Sequence, residues 1–117
     1  MASTRFRGVA SFSATPDQVV FCKHSKSATR DLPFDITDAR ELEMRSPLAY
    51  AASLKCPARL YVGTQETEFQ ATTRMTAKVA HDHGRDAEAL LMEGDHGTSV
   101  LPGVAQSVEF FLKNGAR

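Results

Sequence analysis

The sequence predicts an α/β fold: a small three-stranded parallel sheet with flanking helices. Apolar runs of strand length recur at Gly8–Ala14, Ala58–Val62 and Ala87–Met92. Segments long enough for helices separate them. Strands joined by such crossovers pair in parallel, and each crossover is expected to be right-handed.

The first run is small and apolar and is closed by the turn signal Thr15-Pro16-Asp17. Gln18 to Ile36 mixes charged and small polar residues without a sustained period, which predicts a loop with at most a short helix. Asp38 to Arg45 is rich in helix formers. Ser46-Pro47 reads as an N-cap followed by proline at the first helical position, opening Leu48–Leu54. Pro57 introduces the second strand, which ends at Gly63. Ala71 to His83 is expected to be a helix with Met75, Val79 and Ala80 on one face, and Gly84 as its left-handed stop. After the third strand, a helix from Gly103 to Lys113 should present Val104, Val108, Phe111 and Leu112 as one stripe and stop near Gly115. There is no internal repeat or low-complexity linker, so residues 1–117 are read as one domain.

Bulk properties narrow the function classes. Fourteen basic residues balance fourteen acidic ones, so charge offers no case for nucleic acid or a membrane surface as a partner. No apolar run approaches the roughly 18 to 20 residues that span a bilayer. Met1–Arg7 lacks the apolar core of a secretion signal. Cys22 and Cys56 fall in neither a CxxC nor a zinc-type spacing and are expected to be buried free thiols, which points to a cytoplasmic location.

The chemistry-bearing stretch is Gly94-Asp95-His96-Gly97-Thr98-Ser99-Val100, directly after the third strand. A histidine opening the loop beyond a strand's C-terminal end is where open α/β sheets carry their chemistry. Glu66 stands in the same kind of place one strand earlier, after Leu60-Tyr61-Val62-Gly63-Thr64-Gln65. An acid and a histidine so placed are two of the three members of a catalytic triad.

Rival readings are weaker. His81 and His83 are two apart, so on a helix they cannot share a metal. Asp95-His96 offers two ligands and lacks a third, and His24 reads as solvated. Nothing in the sequence aligns Cys22 with His24 as a thiol nucleophile. Phe110-Phe111-Leu112 reads as core packing, and no phosphate-cradling GxGxxG or GxxxxGK[ST] occurs. No metal or cofactor is expected.

Ser46-Pro47, then Cys56-Pro57-Ala58-Arg59-Leu60-Tyr61-Val62-Gly63-Thr64-Gln65-Glu66, then Gly94-Asp95-His96 resembles the C-terminal part of α/β-hydrolases, closest to the prolyl-oligopeptidase and dienelactone-hydrolase branch. In that branch the next-to-last strand typically ends in Gly-x-x-Asp and the last near Gly-x-His. Here Gly63-Thr64-Gln65-Glu66 matches the first with Glu for Asp, and Phe69 stands where the family often has valine. The likeness is strongest from Ser46 to Lys113. It implies Glu66 as triad acid, His96 as triad base, and ester or peptide hydrolysis in full-length relatives.

The family's nucleophile motif, Gly-x-Ser-x-Gly, does not occur here. Triad order in this fold puts the nucleophile before the acid. Ser11 and Ser13 lie in the first strand without flanking glycines, and Ser99 follows the histidine. The resemblance therefore implies the last three strands of such an enzyme, with Gly8–Ala14 following the elbow helix and no turnover by this chain alone. The alternative is a non-catalytic interaction module of the same fold. Val9-Ala10-Ser11-Phe12, without an upstream neighbour, would be an edge strand bearing no charge, so a homo-oligomer or a partner supplying the missing strands is expected.

Overall fold

A computed structural model describes residues 5–26 and 29–115. Met1–Thr4 of the expected leaderless start, Ser27 and Ala28 of the expected loop, and Ala116 and Arg117 at the end of the expected domain lie outside the described residues. The chain runs β1 (Val9–Phe12), α1 (Gln18–His24), α2 (Ala39–Met44), a 3-10 helix (Pro47–Ser53), β2 (Ala58–Gly63), α3 (Thr67–Asp82), β3 (Ala87–Met92) and α4 (Val100–Gly115).

The three strands form one parallel sheet in the order β1-β2-β3. Val9 pairs with Ala58 and Phe12 with Tyr61; Ala58 pairs with Ala87 and Gly63 with Met92. Alternation along each strand divides the sheet between two layers. On one side Ala58 and Leu60 pack with Ala51 and Leu54 of the 3-10 helix region and Ala80 of α3. On the other, Phe12 and Tyr61 stack with ring centroids 5.3 Å apart and meet α4 at Gly103. The Arg59 guanidinium lies over the Phe110 ring, 4.7 Å from its centroid, and pairs with Asp86 and Glu88. The expected small parallel sheet with flanking helices is the observed architecture.

Four local expectations are corrected. Ser46 stands at the N-cap with Pro47 in the first turn, as expected, but its side chain makes no capping bond. Its buried hydroxyl donates to the Leu42 carbonyl (2.7 Å) and accepts from the Gln18 amide (2.9 Å), because two backbone groups near it need partners. The long helix begins at Thr67 rather than Ala71, directly after the Glu66 loop. Of the expected face, Ala80 is buried and Val79 packs against the core, but Met75 is half exposed, and Thr73, Thr76 and Ala77 complete the inward side. Small and β-branched side chains let α3 lie close to the sheet and the 3-10 helix, and the larger methionine is turned out.

The same substitution of small for apolar rotates α4. Its buried residues are Gly103, Ser107 and Phe110, whereas Leu101, Val104, Val108, Phe111 and Leu112 are exposed. A Cβ on Gly103 would lie 3.0 Å from the Phe12 ring, so glycine is what brings the helix onto the sheet. Gly84 does adopt the left-handed conformation (φ 73°) and ends α3 in a Schellman arrangement, with Arg85 N–H on the Ala80 carbonyl and Gly84 N–H on His81. Among the described residues no helix is long and apolar enough to cross a membrane.

Candidate acid–base site

Parallel, in-register pairing brings the loops after β2 and β3 to one edge of the sheet. The loops are bonded to each other: Thr64 N–H donates to Met92 O (2.8 Å), Gln65 N–H to Gly94 O (3.0 Å), and Gly94 N–H to the Thr64 hydroxyl (3.1 Å). Gly94 has φ 126°, a conformation that side chains rarely adopt, and a Cβ there would collide with Thr98. The Asp95 carboxylate accepts from the amides of Gly97 (2.9 Å) and Thr98 (2.8 Å). Those bonds, with the Thr98 hydroxyl, hold its carboxyl below the usual range and fix the turn that carries His96. Asp95 therefore serves the loop.

Glu66 follows β2 and is 3% exposed. Its Oε2 accepts from the Gly63 amide (2.7 Å) and from the Ser13 hydroxyl (2.7 Å). Its Oε1 lies 2.6 Å from Nδ1 of His96. Burial by itself pushes the Glu66 carboxyl up, but the bonds from Ser13, Gly63 and His96 together outweigh it and leave the carboxyl below its ordinary value. The imidazole, in contrast, is 73% exposed and is flanked by the Phe69 ring at 6.4 Å between centroids. An ionised carboxylate at Nδ1 places the proton there in neutral imidazole and turns the lone pair of Nε2 outward. That is the form a general base requires.

The structure thus brings together both residues singled out in the sequence, and adds a third that sequence reasoning set aside. Ser13 has φ 51°, the one positive value among described non-glycine residues, and is buried at the end of β1. Its Oγ also lies 3.5 Å from Oγ of buried Ser99. The order in space is serine, carboxylate, imidazole, so Ser13 meets the acid and leaves Nε2 unengaged. Its only sequence signal was a hydroxyl terminating an apolar strand.

The remaining candidates do not join this site. Ser11 lines an apolar cavity of about 250 Å³ on the α3 side of the sheet, with Val9, Pro47, Leu54 and Leu60. Among the described residues no titratable group lines it. His83 is bonded through Nδ1 to the Val79 carbonyl, and no cluster of three metal-ligating side chains occurs among the described residues. Both cysteines are free thiols; Cys56 is buried and Cys22 half-buried. No family model, curated protein or solved structure matches the chain.

Proposed function

We propose that this chain carries the acid–base half of a serine-hydrolase-type site of α/β-hydrolase kind, acting on esters or peptides together with a nucleophile from another segment. The carrying observation is the buried Glu66 carboxylate 2.6 Å from Nδ1 of an exposed His96. In acyl transfer, Nε2 of His96 takes the proton of the attacking hydroxyl and returns it to the leaving group. Glu66 holds the tautomer and stabilises the imidazolium. The hydroxyl and the oxyanion donors would come from a segment lying along β1, whose outer edge is unpaired among the described residues and whose four residues carry no charge.

Without the nucleophile, loss on the order of 10⁶ in rate is the expectation, because triad members act as a unit. A serine-directed fluorophosphonate applied to the complex or polypeptide containing this chain, in extract of its source, tests the proposal. Labelling should occur on a serine outside residues 1–117 and should vanish with His96→Ala. Absence of label, or label indifferent to His96, would reject it.

The outward apolar face of α4 favours a second reading, a non-catalytic interaction module of the same fold. Under that reading His96→Ala would leave both the assembly and its chemistry unchanged.

A further inference from the structure

We infer that Ser13 is a positioning residue: its buried hydroxyl, delivered by a left-handed backbone at the end of β1, aims the Glu66 carboxylate at His96. The inference rests on the acid–base role proposed for that pair. A glutamate's terminal torsion is broad, so a carboxylate held by a single donor can swing. Here Oε2 has two donors from different parts of the fold, the Gly63 amide on β2 and the Ser13 hydroxyl directly after β1. With Oε2 pinned from two directions, Oε1 is the oxygen that faces Nδ1 of His96.

Two further observations point the same way. A left-handed backbone disfavours any side chain, and glycine would adopt it without strain. Yet position 13 carries a hydroxyl, while the Ser13 amide still bonds the Tyr61 carbonyl (2.8 Å) and holds the residue in the ladder. Strain retained beside a buried polar group marks a position where the side chain matters. Behind it, the Ser99 hydroxyl lies 3.5 Å away. Since Ser13 gives its own proton to Glu66, Ser99 is the donor in that contact. The three strand ends therefore converge on one carboxylate: Ser13 after β1, Glu66 after β2, and His96 with Ser99 after β3.

The test uses Ser13→Ala, which removes only the hydroxyl and keeps the strain, and Ser13→Gly, which removes the whole side chain but suits the left-handed backbone. The readouts are the ¹³C titration of the Glu66 carboxyl and the ¹⁵N shifts of the His96 ring, which report its tautomer. In both variants Glu66 should titrate at higher pH, and His96 should lose its single Nδ1–H tautomer near neutral pH. Unchanged titration and tautomer would overturn the inference. A Glu66 shift with no change at His96 would also overturn it, since the hydroxyl would then tune charge without setting aim. Loss of fold in both variants would do the same, by making Ser13 an anchor of β1. None of these readouts depends on turnover, so they stand apart from the fluorophosphonate result.

Discussion

A methyl group on Gly63 would sit 2.6 Å from the carbonyl oxygen of Gly94, closer than any real Cβ approaches backbone. The same Cβ would lie 2.9 Å from Oε2 of Glu66. Gly63, the last residue of β2, is thus a point of close approach to the loop after β3, beside the Thr64 and Gln65 bonds that join the two loops carrying acid and histidine. Gly63→Ala should cost about 1–3 kcal/mol, the usual range for overpacking a site that cannot relax. It should also disturb the His96 tautomer. Gly84→Ala provides the contrast: among the described residues, nothing beyond its chain neighbours lies within 4 Å of its Cβ, so only the left-handed backbone opposes it. Urea unfolding of both variants, with ¹⁵N spectra of His96, would check this; a silent Gly63→Ala would refute the loop contact.

The strands were legible because each is an apolar run bounded by turn residues, and their helix-length spacing dictated parallel pairing. Glu66 and His96 were legible because both follow such runs directly. Ser13 was not, since its partner lies in another loop and only the fold joins them. Part of the inward face of α3, beyond Val79 and Ala80, and the inward face of α4 were also hidden. Periodicity marks where large apolar residues fall, but Thr73, Thr76, Gly103 and Ser107 make the contacts by being small. A stripe of valine and leucine then reads as core although it faces outward.

Glu66→Gln should reverse the imidazole. The amide oxygen can still accept from Ser13 and Gly63, which leaves the NH₂ group facing Nδ1. That nitrogen must then accept, and the proton moves to Nε2. The ¹⁵N shifts of His96 near neutral pH should change from the Nδ1–H to the Nε2–H pattern. Retention of the original pattern would mean that the carboxylate does not set the tautomer.

The lowered Glu66 carboxyl also makes a pH-dependent contribution to stability. A group whose folded pKa lies below its unfolded value stabilises the fold above the unfolded value, and that contribution is lost as pH falls through the folded one. The stability gap between the unaltered chain and Glu66→Gln should therefore be full at neutral pH and narrow on acidification through and below the ordinary glutamate range. The depressed carboxyls of Asp35, Asp82 and Asp95 are common to both proteins and cancel in the difference. Denaturant midpoints across that pH range would measure it, and a constant gap would contradict the assignment.

The purified chain should hydrolyse p-nitrophenyl esters no faster than its His96→Ala variant. Ser13 bonds the acid, Ser11 faces an apolar cavity, and Ser99 is buried behind Ser13, so none of them meets Nε2 of His96. Initial rates at matched concentration decide the matter. Robust turnover abolished by the His96 change would show that one of these hydroxyls, or a cysteine, reaches the imidazole after all.

The orientation of α4 separates the observed packing from the one its apolar stripe suggests. Phe110 is 9% exposed, lies under the Arg59 guanidinium, and approaches Gly8 so closely that a Cβ there would meet its ring at 3.0 Å. Truncating it leaves a cavity between helix and sheet, so Phe110→Ala should cost about 3–5 kcal/mol. Val108 and Leu112 are 50% and 69% exposed, and Val108→Ser or Leu112→Ser should each change stability by no more than about 0.5 kcal/mol. If the stripe instead faced the sheet, the order would invert, with the serine variants costly and Phe110→Ala mild. Urea midpoints of the three variants would distinguish the two orientations, because the expected costs differ several-fold and in opposite order.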